Sequence, residues 1–417
     1  MLFLWSQLHK MSIVLEISNI LIENVDLQFR RLLFSTIEWE NRLIEIKGAR
    51  GTGKTTLMLQ KAREYRDNLN KKVVYASLDL PYFYAYSIFD FAHLFYREGG
   101  EVLFLDEVHK YPKKNPTSDW SSEIKAVHDS FPNLKVVYSG SSLIELHKGN
   151  GDLSRRKVSY NLYGFSFSEY RALKTGEVKI STFPLLELLK NHTEIAQVLT
   201  KHGSPLPMFR EYLKKGYYPF QLISESAYYQ KLNEVVNAVI ETEIPSVMDG
   251  GYISTERIKK LLGAIATTVP YTPKIKELSE QLNISDSRTL LKYLELLVEA
   301  EILNTLQSGV SGNKKLQKPD KIYFNNTNLN FALAGESSEL GTIRETFFLN
   351  QVGKSHEVTY PKTTDFLVEG KYYFEVGGKS KKRKQLPALT ENAYVVSDDL
   401  DIGFGNRIPL WLFGYLE

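Results

Sequence analysis

The octapeptide Gly48-Ala-Arg-Gly-Thr-Gly53-Lys54-Thr55 constrains this chain more than any other stretch. It fits the G-x-x-x-x-G-K-[ST] spacing at every fixed position. Leu43-Ile44-Glu45-Ile46-Lys47 before it reads as a strand, and about Thr55 to Asn68 after it reads as a helix. That context is what the chemistry requires. Glycines let the backbone curl until successive N–H groups face phosphate oxygens, and the helix start adds partial positive charge. Lys54 is then placed to reach the β and γ phosphates of a nucleoside triphosphate, and the Thr55 hydroxyl to ligate Mg2+. Gly48, Arg50, Gly51, Thr52, Gly53, Lys54, Thr55 and Thr56 form the candidate nucleotide-binding set. A chance glycine-rich turn is the competing explanation, but it predicts neither flanking element.

The neighbouring apolar runs extend this picture to an α/β fold. Val73-Val74-Tyr75-Ala76, Val102-Leu103-Phe104-Leu105 and Val136-Val137-Tyr138 read as short buried strands separated by helical stretches. That alternation predicts a parallel sheet covered on both faces, with ligands at the carboxyl ends of its strands. Asp106 and Glu107 close one strand. The aspartate is placed to hold Mg2+ and the glutamate to polarise an attacking water as general base. Ser139 to Ser142 close the next, where one hydroxyl, with Ser141 the candidate, would sense the γ-phosphate or serve only as a turn. Arg155 and Arg156 follow; either is a candidate for stabilising charge on the transferring phosphoryl group, the alternative being a solvated basic loop.

A length of 417 residues predicts two to three domains. The net charge of +3 permits a nucleic-acid partner without arguing for one. Cysteine is absent, which excludes disulfides, thiolate metal sites and cysteine nucleophiles. No apolar run approaches the roughly 20 residues of a membrane helix, and the expectation is a cytoplasmic protein without membrane contact.

Further along, Pro273 to Leu282 and Asp286 to Glu301 read as two helices joined by a tight turn at Asn283-Ile284-Ser285. Ile302-Leu303-Asn304 and Lys321-Ile322-Tyr323-Phe324 read as wing strands, with Lys314, Lys315 and Lys318 between them. This is a winged-helix pattern, in which the second helix offers Arg288 and Lys292 to a DNA major groove. Asp286 and Glu295 on the same helix weaken that footprint, so a protein-contact adapter stands beside it.

Gly48–Thr56, Leu103-Phe-Leu-Asp-Glu-Val-His109, Ser139-Gly-Ser-Ser142, Asp152-Leu-Ser-Arg-Arg156 and Tyr163-Gly-Phe-Ser-Phe-Ser-Glu-Tyr170 together resemble the prokaryotic AAA-type ATPases that carry a C-terminal region of unknown function, DUF4143. The resemblance implies ATP as the nucleotide, and a homo-oligomer in which Arg155 or Arg156 acts in cis or on a neighbour. It implies an AAA-like core with its parallel sheet over residues 1–176 and a helical lid over 177–252. A winged-helix module would span 253–325, and a small α/β domain of PD-(D/E)xK nuclease type 326–417. Asp365 and Glu375 fit the metal-binding acids of such a nuclease, with Glu345 as a third. The expected lysine position is Gly377, and Lys379 lies two residues on, so an inactive nuclease fold is equally compatible. Lys381-Lys-Arg-Lys384 would contact phosphate backbone or remain a solvated loop. Three functions follow from this reading: an ATP-driven switch acting on duplex DNA, a signalling NTPase with a protein partner, and a nucleotide-gated nuclease.

Overall fold

Strand β1 (Leu43–Lys47) alternates its side chains between two separate cores. Leu43 enters one and Ile44 and Ile46 the other. The same alternation runs through β2 (Val73–Ser77), β3 (Val102–Asp106) and β4 (Lys135–Gly140), where Val74, Leu103, Leu105, Val136 and Tyr138 face one way and Tyr75, Phe104 and Val137 the other. A sheet buried on both faces must be apolar at odd and even positions alike, which is why these strands read as continuous apolar runs. With β5 (Val158–Asn161) they form a five-stranded sheet in the order β2-β3-β4-β1-β5, every pairing parallel.

The computed structural model describes residues 2–112, 119–143, 152–177, 179–222, 225–247, 254–308, 318–335, 339–378 and 392–417. Its helices before β5 are α1 (Leu2–Asn24), α2 (Leu32–Thr36), α3 (Lys54–Asp67), α4 (Tyr82–Ala85), α5 (Ile88–Arg97) and α6 (Trp120–Ser130). α3 covers one face through Leu57, Met58 and Ala62; α5 and α6 cover the other through Phe91, Phe95, Ile124 and Val127. α1 runs along edge strand β2, where Ser18 Oγ accepts the Tyr75 N–H at 2.8 Å. Among the described residues no helix is long and apolar enough to cross a membrane.

The chain divides into two units, residues 1–163 and 164–417. The second opens with α7 (Phe167–Thr175), set by a reciprocal capping box between Ser166 and Glu169. α8 (Leu185–Leu199), α9 (Leu206–Lys215) and α10 (Tyr228–Ala238) follow, then a π-helical turn and α11 (Ile244–Ser246). Next come α12 (Thr255–Ala266), α13 (Ile275–Gln281), α14 (Ser287–Glu299) and an antiparallel ribbon of β6 (Leu303–Leu306) and β7 (Lys321–Phe324). Tyr271, between α12 and α13, bridges antiparallel to Ile322 of β7.

α15 (Thr327–Leu333) and α16 (Leu340–Val352) lead to a second sheet of β8 (Val358–Thr359), β9 (Phe366–Val368), β10 (Tyr372–Gly377), β11 (Ala393–Ser397) and β12 (Arg407–Pro409). Its order is β12-β11-β10-β9-β8, antiparallel up to β10 and parallel beyond. A buried run, Asn325-Asn326-Thr327-Asn328, bolts α15 to the end of α9. Asn328 Oδ1 accepts the Tyr217 N–H at 2.8 Å, while its Nδ2 donates to the Leu213 carbonyl at 2.9 Å.

Candidate nucleotide site

Because β1 to β5 are parallel, one edge of the sheet collects all their carboxyl ends. Lys47 stands level with Gly140 and Asn161, and Ser77 with Asp106. The 48–53 loop leaves β1 at this edge. It approaches its neighbour so closely that a Cβ on Gly48 would lie 2.2 Å from the Leu162 carbonyl oxygen. Gly53, at φ 96°, makes the left-handed entry to α3 that a side chain would strain. Thr52 Oγ1 donates to the Ala49 carbonyl at 2.9 Å, and buried Lys54 donates from Nζ to the Gly48 and Ala49 carbonyls at 2.8 and 3.0 Å. Arg31 splints the loop from outside, donating to the carbonyls of Thr52 and Tyr163 at 2.8 Å each. Nothing in the spacing of the sequence distinguishes Arg31 from any other arginine.

Asp106 is the centre of the site. Its Oδ2 accepts the Thr55 and Tyr75 hydroxyls, each at 2.6 Å. Its Oδ1 accepts the Ser139 hydroxyl and, at 3.0 Å, the Glu107 N–H. Burial and then the adjacent Asp106 charge push the Tyr75 phenol far above its ordinary pKa, so it stays a donor. Glu107 adopts φ 55°, ψ 43°, and this left-handed turn swings its side chain out of line with the strand. Its carboxylate lies 3.1 Å from Lys110 Nζ and 3.4 Å from His109 Nε2. Burial opposes ionisation of Glu107, but His109, Lys54 and Lys110 outweigh it and hold the pKa below the usual glutamate value. The carboxylate is therefore charged at neutral pH.

Of the remaining candidates, Ser141 is buried just past β4, Thr56 is exposed, and Arg50 and Gly51 are half-buried on the loop. Ser139, named in the sequence only as the first of the Ser139 to Ser142 run, has a hydroxyl that besides meeting Asp106 accepts the Glu107 N–H at 3.2 Å.

Arg155 and Arg156 do not join this cluster. They precede β5, whose first residue Val158 pairs with Ile44 near the start of β1, while the phosphate loop leaves the other end. The paired strands alone separate the two edges by about 10 Å. Arg156 is held at its own edge by a two-pronged pair to Asp129, at 2.8 and 2.9 Å. Arg155 is exposed. Of the two expectations, action in cis or on a neighbour, the parallel register does not bring either arginine to the phosphate loop of its own chain.

In the second unit, Asp365 precedes β9 and Glu375 lies in β10, each next to a member of the Phe366–Phe374 pair, and Glu375 is fully buried. Asp365 Oδ2 accepts the Val376 N–H at 2.8 Å, a strand-capping contact. Glu345 accepts the Tyr323 hydroxyl at 2.7 Å. Among the described residues no three acidic or histidine side chains group as a metal site would require. Lys379, Lys381 to Lys384, Lys314 and Lys315 lie outside the described residues. On α14, Arg288 is paired with Asp286 at 3.0 Å and Lys292 with Glu295 at 2.9 Å.

Residues 40–171 match the family of AAA domains designated AAA_14, a span that holds Thr55, Tyr75, Glu107 and Ser139, the hydrogen-bond donors to the Asp106 carboxylate. Residues 206–340 match a domain of unknown function, DUF8612, and not the DUF4143 region suggested by the motifs. Among solved structures the chain is similar to the Walker-type ATPase of Pyrococcus abyssi, at 14% identity over 73% of this chain and 95% of that one, with a TM-score of 0.40. It is similar to AMPPCP-bound DnaA of Aquifex aeolicus, at 17% identity over 68% and 86%, TM-score 0.26. A third likeness is to Aeropyrum pernix ORC1 in complex with DNA, at 13% identity over 71% and 86%, TM-score 0.30. No curated protein sequence matches the chain. The family match, together with the sheet order and the loop, makes residues 40–171 an AAA-type P-loop domain.

Proposed function

We propose that the chain is a Mg2+-dependent ATPase of AAA type whose nucleotide state switches its second unit. The observation that carries this reading is the meeting of Thr55 Oγ1 and Asp106 Oδ2 at 2.6 Å beside the phosphate loop, with the charged Glu107 next in sequence. Two hard oxygen donors so close suit Mg2+, which keeps most of its waters and takes one or two protein ligands beside phosphate oxygens. Thr55 and Asp106 would hold it, and its charge would neutralise the β and γ oxygens. Lys54 exchanges the Gly48 and Ala49 carbonyls for phosphate oxygens. Glu107 orients a water and takes its proton, and Ser139 keeps the Asp106–Glu107 turn in shape. Ser141, buried just past β4, would sense the γ-phosphate of a bound nucleotide.

The exposed Arg155 serves the nucleotide of a neighbouring copy, because its own is at the opposite edge of the sheet. This makes the active form a homo-oligomer. Glu107→Gln tests the assignment. It is expected to bind ATP as the wild type does and to turn over about 10²–10³-fold more slowly. Hydrolysis at the wild-type rate would remove Glu107 from the mechanism.

For the partner of the switch, the order α12, Tyr271, α13, α14, β6, β7 supports a winged-helix module and, with it, duplex DNA. A second reading, a signalling NTPase with a protein partner, is favoured by the pairing of Arg288 and Lys292 with carboxylates of their own helix segment. A salt titration of duplex binding separates them. A surface neutralising several phosphates loses affinity steeply with salt, with a log–log slope of about −0.9 per phosphate; no binding at low salt selects the protein partner.

A further inference from the structure

We infer that the ion pair between buried Glu45 and half-buried Lys157 is a positioning device for Arg155, an inference that rests on the reading of Arg155 as acting on a neighbouring copy. Glu45 lies in the middle of β1 and is fully buried, in a strand otherwise lined by Leu43, Ile44 and Ile46. In register it faces Tyr138 of β4 and Ser159 of β5. Its Oε1 accepts the Tyr138 hydroxyl at 3.0 Å. Its Oε2 accepts Lys157 Nζ at 2.7 Å and the Ser159 hydroxyl at 2.5 Å. A carboxylate inside a sheet is costly to desolvate, and a well-packed apolar residue would serve stability at least as well. What the pair adds is geometry.

Lys157 follows directly on Arg155 and Arg156, and each neighbour of Arg155 is fixed. Leu153 is buried in the core, and its carbonyl accepts the N–H groups of Arg156 and Lys157 at 2.9 and 3.0 Å. The Arg156 guanidinium is clamped to Asp129. The Lys157 ammonium is clamped to Glu45. Arg155 is therefore an exposed cation on a loop pinned on both sides. A group that must meet a transferring phosphoryl group on another molecule needs such preorganisation, since small misplacement is expensive in rate. The clamp also starts from the strand that runs into Gly48. One strand thus carries the chain's own phosphate loop at one end and supports, through Glu45, the arginine offered to the neighbour.

The test uses full-length chains in mixed assemblies. Lys54→Ala subunits have no working site but still offer Arg155; Arg155→Ala subunits have a site but offer no arginine. Mixing the two is expected to restore ATPase activity, at sites where an Arg155→Ala subunit receives Arg155 from a Lys54→Ala neighbour. Adding Glu45→Gln to the Lys54→Ala donor is expected to cut that restored rate by about tenfold to a hundredfold through kcat, with KM unchanged. Adding it instead to the Arg155→Ala acceptor should leave the restored rate within about twofold, a smaller change than any loss of a positioned group would give. Where Glu45→Gln does not fold, the pair Glu45→Gln/Lys157→Met removes the buried charge together with its partner and carries the same test. Equal restoration by both donors would overturn the inference. So would an acceptor defect as large as the donor defect, which would make Glu45 a support of its own phosphate loop. Absence of any restoration in the first mixture would instead bring down the trans reading of Arg155, and this inference with it.

Discussion

At the scale of single residues, the site turns on how one carboxylate is held. Asp106 receives donors from α3, β2, β4 and its own following peptide: Thr55, Tyr75, Ser139 and the Glu107 N–H. Such saturation fixes the rotamer, so each donor has a separable effect. Tyr75→Phe keeps the ring and deletes one charge-assisted bond. It is expected to lower stability by about 1.5 kcal/mol, the low end for bonds to a charged group because three donors remain. It should also raise the Mg2+ concentration needed for half-maximal ATPase activity. Urea unfolding and a Mg2+ titration of activity check the two parts, and an unchanged Mg2+ requirement would show that Thr55 and Ser139 hold Asp106 without help. Ser139→Ala differs because the hydroxyl also accepts the Glu107 N–H. Its expected effect is on kcat more than KM, as the Glu107 turn loosens.

At the scale of elements, the loop works because β1, β5 and α3 leave it almost no room. Gly48→Ala would put a methyl carbon 2.2 Å from the Leu162 carbonyl oxygen, a backbone atom held in the segment after β5. Either the loop or that segment must shift. The expected outcome is a stability loss of about 1–3 kcal/mol, as in other overpacked sites. ATP affinity should fall by about 10²-fold, the scale of loss when a positioned site is misplaced. Calorimetric titration with ATP reads the second effect, and wild-type affinity would show that the loop tolerates the side chain.

The elements also show where the sequence was legible. β1 to β4 could be read as buried strands because both faces are covered, so their apolar runs are unbroken. α3 and α14 could be read from their helical spacing. The polar strand β5, Val158-Ser-Tyr-Asn161, carries no such signal, and it is the strand that fixes the edge on which Arg155 and Arg156 lie. α15 was equally silent, since its first turns are buried through asparagines and a threonine whose hydrogen bonds are visible only in three dimensions.

At the scale of the whole molecule, a parallel sheet has a direction, and that direction sets Arg155 at the opposite edge from the phosphate loop of its own copy. The phosphate loop and Asp106 sit at the carboxyl edge, whereas Arg155 is presented at the amino edge between buried Leu153 and the contacts of Arg156 to Asp129 and Lys157 to Glu45. The sequence displays the phosphate loop and Arg155 without the distance between them, because residue order says nothing about which edge a loop reaches. On the proposed reading, in which Arg155 serves the next copy, the contact joins two different surfaces, so closure would give a ring and each site would depend on association. Specific ATPase activity should then rise with protein concentration and level off as assembly completes. The step is expected to be on the order of 10³-fold if Arg155 stabilises phosphoryl transfer as arginines supplied by partners do elsewhere. Arg155→Ala should stay at the dilute-limit rate at every concentration while still assembling, as sedimentation would show. Activity independent of concentration in the wild type, down to dilutions where sedimentation finds only monomer, would mean that the charge developing on the phosphate is met by Lys54 and Mg2+ without a second copy.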